Sequence, residues 1–169
     1  IDAHDRLYRS VLGRDDGVML PHSVDDRGKC IGGYWAGSVD HGCAAWVALM
    51  MYRHYRHSMD KTFLRRAYPF MAAAMRVYEA MLEERDAALV LPVSVSPEYR
   101  GGAMNAWGTN ASFQLACIHA LGEALLAASR ELQQAPGRNW RRILKKLPKA
   151  CLVGPPGREA IGLWEGLEL

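Results

Sequence analysis

Apolar residues recur along this chain at the three- and four-residue spacing of helices, in blocks separated by stretches rich in Gly, Asp and Pro. Leu7, Tyr8, Val11 and Leu12 share one side of a short helix predicted over 2–12, which stops at Gly13. The block over 42–57 is apolar nearly all round (Ala44, Ala45, Trp46, Val47, Ala48, Leu49, Met50, Met51), a pattern that predicts a helix buried on both sides. Asp60 is a good cap for the next helix, over 61–85, where Phe63, Leu64, Tyr68, Met71, Met75, Tyr78 and Leu82 form one stripe and Pro69 predicts a bend. Thr109 or Asn110 is placed to cap a helix reaching Gln133, striped by Phe113, Cys117, Leu121, Ala124, Leu125 and Ala128. A shorter amphipathic helix follows over 138–146 and is ended by Pro148. No segment reads as a convincing strand.

The prediction is therefore an all-α chain, one domain over 1–169, built from helical hairpins that form part of an (α/α)6 toroid. Loop regions 13–39 and 87–108 carry the turn signals and many of the aromatics. A lone stack of four or five such helices leaves an apolar wall unpaired. That predicts either a homo-oligomer formed through the wall or further hairpins outside these residues; Ile1 in place of Met fits a processed chain or a piece of a longer one.

Composition changes this picture little. Half the residues are hydrophobic, and a formal net charge of +3 is too small to make nucleic acid the partner of the whole chain. The cationic helix, with Arg141, Arg142, Lys145, Lys146 and Lys149 opposite Trp140, Ile143, Leu144 and Leu147, reads as an outer helix with a solvated face. No apolar run is read as long enough to span a bilayer, and no export signal opens the chain, so a soluble protein is expected, cytoplasmic or exported, with no membrane partner. Cysteines 30, 43, 117 and 151 make no CxxC pair and no finger-type spacing; free thiols are the expectation. His54, His57 and Asp60 have a spacing that could hold a metal, but no second cluster completes it, so neither metal nor cofactor is expected.

Candidate chemistry gathers in the loop after the second long helix. Pro92 and Pro97 keep Leu91 to Glu98 out of helix and place the Glu98 carboxylate on a loop, between Tyr99 on one side and the prolines on the other, with Trp107 shortly after. A glutamate there is a candidate general acid. Burial against Tyr99 and Trp107 would keep it protonated, whereas a close Arg100 would lower its pKa. Tyr34, Trp35, Trp107 and Trp164 suit a carbohydrate site, because flat rings stack on the apolar face of a sugar. The Asp40–His41 pair faces either a substrate or its own helix start.

Ala45-Trp46, His54-Tyr55, Asp60-Lys61, Phe63-Leu64 and Ala67-Tyr68-Pro69, followed by Ser96-Pro97-Glu98, together resemble the six-hairpin glycosidases, nearest the inverting α-L-fucosidase-like family, in order and approximate spacing over about residues 30–130. The resemblance implies an enzyme acting on oligosaccharides or glycosides with fucosyl or related α-linked sugars. It carries the general-acid role onto Glu98 and a sugar-lining role onto Trp46. The chain departs from the family in Tyr99-Arg100, where members often have Asn, and in Ser112, two residues before Gln114, where they have Asp.

Inverting hydrolysis needs an acid and a base about 6.5 to 9.5 Å apart, so that a water fits between base and sugar. Asp40 and Glu165 are the in-chain substitutes for the base. His41, Tyr99, Arg100, Asn110 and Trp164 complete the expected substrate contacts. The competing expectation is a non-catalytic carbohydrate-binding or helical interaction module.

Overall fold

The computed structural model describes residues 9–27, 29–31, 40–96, 99–100, 103 and 105–167. Residues 9–12 are helical, and Gly13, at φ 63°, closes that turn by donating its N–H to the Arg9 carbonyl. Helix α1 spans Gly42–Ser58 and α2 spans Lys61–Met81. A hairpin of β1 (Glu83–Arg85) and β2 (Ala88–Val90) follows. Next come α3 (Ser112–Leu132) and α4 (Trp140–Lys146), then a second hairpin of β3 (Leu152–Val153) and β4 (Ala160–Ile161).

The chain is an all-α hairpin assembly of toroid type. Helices α1 and α2 form an antiparallel pair, linked through Met59 in the left-handed region at φ 55° and through Asp60, whose carboxylate accepts the N–H groups of Thr62 and Phe63 as expected of an N-cap. Helix α3 packs against both. Its far end meets the start of α2, where Lys61 pairs with Glu131 at 3.2 Å, so α3 runs parallel to α1. The core is filled by Leu64, Met71, Met75 and Tyr78 from α2 and by Leu115, Ile118, Leu121 and Leu125 from α3. Ala45 and Ala48 let α1 approach closely. Pro69 lies inside α2 without ending it.

Several expectations are corrected. Two β-hairpins exist where no strand is predicted, because strands of two or three residues are too short to show an alternation. Helix α2 consequently ends at Met81, not Arg85, and β2 occupies the start of the expected 87–108 loop. Helix α4 begins at Trp140. Helix α3 is long and apolar enough to cross a membrane by length and composition, contrary to the sequence reading, but most of it is buried as the core helix. The expected burial of α1 on both sides also fails: Trp46 is 55% and Met50 51% exposed, because their side of α1 is uncovered.

The cationic helix is an outer element. Trp140, Ile143 and Leu147 are buried, while Arg142 and Lys146 both pair with Glu84 of β1.

Candidate functional site

Parallel α1 and α3 bring their N-termini to one end of the bundle, and the long loops collect there. Asn110 does not cap α3 as expected. It sits in the left-handed region at φ 55°, and its side chain joins two loops instead: Oδ1 accepts the Leu91 N–H at 2.8 Å, and Nδ2 donates to Glu165 Oε1 at 2.5 Å. The Thr109 hydroxyl bonds to the Pro92 carbonyl at 3.3 Å, so the residue before α3 that takes the cap position is Ala111, with no side-chain cap.

Two serines stitch the loops. Ser94 Oγ donates to the Gly108 carbonyl at 2.8 Å and accepts the Ala111 N–H at 2.7 Å, beside a bridge that pairs the Ser94 and Gly108 backbones. Ser112 Oγ donates to the Gly162 carbonyl at 2.7 Å and accepts the Cys151 N–H at 2.9 Å. Ser112 thus clips the start of α3 to the 151 and 162 backbones. Gly108 is required by close approach: a Cβ there would lie 2.2 Å from the Trp164 ring.

The aromatics divide. Trp164 is buried and meets Tyr99 edge-on, ring centres 5.4 Å apart, with the Arg100 guanidinium over the other ring at 5.8 Å. Trp107 is 45% exposed. Glu98, Tyr34 and Trp35 lie outside the described residues, so the Arg100 contact described is with Tyr99. Glu165 is exposed, its carboxylate held by Asn110.

Asp40 is buried and ties α1 to α3. Its Oδ1 accepts the Gly42 N–H at 2.8 Å and the Gln114 side-chain amide at 3.2 Å; its Oδ2 faces Cys43 Sγ at 3.7 Å and His22 Nε2 at 4.0 Å. Burial and the nearby Asp40 charge push the Cys43 thiol up to about 12, and the same two causes, with Cys43, push Cys117 up to about 12. All four cysteines are free thiols.

The helix-start hydrogen bond of the Asp40–His41 pair is made by Asp40, to the Gly42 N–H, and not by the His41 ring. Both ring nitrogens are shut off from solvent without a hydrogen-bond partner among the described residues, and burial lowers its pKa to about 4 against the opposing pull of Asp40. Its carbonyl accepts the Tyr78 hydroxyl at 2.6 Å.

An open cavity of about 480 Å³ lies over Asp40 and Cys43, walled by Pro21, His22, Trp46 and Phe113 among others. Trp46 is therefore a cavity wall, its ring centre 6.0 Å from that of Phe113. Among the described residues His54, His57 and Asp60 do not come together as a metal group; the His54 ring meets Phe63 at a tilt of 58°, ring centres 4.4 Å apart. The grouping that sequence reasoning missed is His22 with Asp40 and Cys43, whose ligand atoms lie within 4.8 Å of one another. Asp40 and Cys43 are three apart at a helix start, which is legible, but His22 comes from an irregular loop with no period to place it.

No curated protein matches the chain. The family model described as the glycosyl hydrolase family 95 catalytic domain matches residues 5–158, which takes in all three long helices and the 91–111 loop but stops short of Gly162 to Glu165. By that match, the chain belongs to the catalytic-domain family of glycosyl hydrolase family 95, a six-hairpin glycosidase family with an inverting mechanism.

Proposed function

We propose that this chain is a segment of an inverting glycoside hydrolase acting on fucosyl or related α-linked sugars, with Glu98 as general acid. The uncovered Trp46 and Met50 side of α1 supports the reading as a segment, since further hairpins of a toroid would cover it. The observation that carries the reading is the Asn110–Glu165 pair beside the Tyr99–Trp164 rings. A carboxylate on an exposed residue, held by an amide through one oxygen, is of the kind that water activation across a sugar requires.

Glu165 is the base in this reading, and Asp40, buried under two donors to one oxygen, positions the two helix starts. Tyr99 and Trp107 supply faces for the sugar, the buried Trp164 ring backs Tyr99, and Asn110 orients the base.

The test is turnover of aryl α-L-fucoside and related aryl glycosides by the full protein, with product stereochemistry followed by NMR. Glu98→Gln is expected to abolish turnover while sugar binding persists, and Glu165→Gln to lower kcat about 10²-fold or more. Undiminished turnover in Glu98→Gln removes it from the mechanism. Sugar binding with no turnover in the unmutated protein would assign the chain to a binding module.

A further inference from the structure

Three donors of different chemistry meet at the floor of the cavity between α1, α3 and the loop ahead of α1. Asp40 Oδ2 is 3.7 Å from Cys43 Sγ and 4.0 Å from His22 Nε2, and all three atoms lie within 4.8 Å of one another. In a tetrahedral site with bonds of about 2.0 to 2.3 Å, ligand atoms stand about 3.3 to 3.8 Å apart. Closing this triangle onto an ion takes movements of an ångström or less, mostly by His22 on its loop.

The surroundings are built as ligand supports are. Asp40 Oδ1 is pinned by the Gly42 N–H and the Gln114 amide, which fixes the carboxylate and aims Oδ2 at the other two donors. Gln114 is fully buried, and its Oε1 has no hydrogen-bond partner among the described residues, an oxygen acceptor left unsatisfied beside the same carboxylate. Three donors from protein leave a fourth position, and the cavity of about 480 Å³ opens onto them.

We propose that His22, Asp40 and Cys43 bind one divalent transition-metal ion of zinc type, with the fourth position open to the cavity. A nitrogen, an oxygen and a sulfur donor suit zinc or cobalt, whereas magnesium and calcium take oxygen ligands. Metal binding here is independent of whether the loop end hydrolyses glycosides.

The experiment is titration of chelator-treated protein with Co²⁺, read as a thiolate-to-cobalt charge-transfer band, then displacement by Zn²⁺. One equivalent per chain is expected. Cys43→Ser should lose the band, and His22→Gln, on a surface loop, should weaken binding about 10-fold or more while far-UV circular dichroism stays unchanged. X-ray absorption on the Zn²⁺-loaded protein should show a single sulfur at about 2.3 Å with nitrogen and oxygen at about 2.0 Å. No charge-transfer band, a band that survives Cys43→Ser, affinity unchanged in His22→Gln, or a shell without sulfur each overturns the site. If Cys43→Ser fails to fold, the His22→Gln titration and the absorption shell decide.

Discussion

Replacing His41 with Leu should make the protein more resistant to acid. In the folded chain both imidazole nitrogens are buried without a partner among the described residues, and the pKa lies at about 4 against 6.5 for the free side chain. The folded pKa is the lower one, so the unfolded chain binds the extra proton. Stability is full above pH 6.5 and is lost as pH falls from 6.5 toward 4. Each unit of difference is worth about 1.4 kcal/mol, which gives a loss of about 2 kcal/mol by pH 5 and about 3 kcal/mol at the lower limit. Asp40, the charge that favours the imidazolium, is already included in that balance. Urea unfolding of the native chain and of His41→Leu at pH 7.5 and pH 5 isolates the effect, because every other titrating group is common to both. The native chain should lose about 2 kcal/mol more than the variant between the two pH values. The Tyr78 hydroxyl bonds to the backbone carbonyl of residue 41 and is retained by the substitution. Equal losses in the two proteins would refute a neutral, buried His41.

Further outcomes follow from single contacts. Ala87, at φ 66° beside Asp86 at φ 49°, occupies a tight turn that glycine prefers; Ala87→Gly should raise stability by about 0.5 to 1 kcal/mol in thermal denaturation. Gly108→Ala should displace the Trp164 ring and cost about 1 to 3 kcal/mol, with a change in tryptophan fluorescence. Glu84→Ala removes the partner of Arg142 and Lys146, all three substantially exposed, so it should lower the thermal midpoint only slightly, an effect that vanishes in high salt. Tyr68→Phe removes the hydroxyl bonded to Ser129 at 2.9 Å and should cost about 1 kcal/mol by chemical denaturation.

The helices were legible because their signals are local. Asp60 caps α2 as its residue type implies, and the apolar stripe of α2 became the core. What stayed hidden depends on partners distant in sequence. Asn110 has the residue type of a cap, yet its side chain reaches Leu91 and Glu165, a choice that the local sequence does not encode. Trp46 reads as core by its neighbours, but whether an apolar face is covered depends on which elements stand beside it. Asp40 was legible as a carboxylate at a helix start, and its tie to Gln114, 74 residues away, was not.

The closure of the loop end has a consequence for synthesis on the ribosome. The Leu163 carbonyl accepts the Ser112 N–H, the Glu165 N–H donates to the Thr109 carbonyl, and Trp164 covers Gly108. All of these come from the C-terminal stretch of the chain described. A ribosome working from the N-terminus has finished the three long helices before that stretch has left the exit tunnel, so the bundle can pack while the 91–112 loop still lacks its lid. The scaffold is then early and the loop end late, and an interrupted chain lacking 162–165 would be helical and compact with its loop end unsealed.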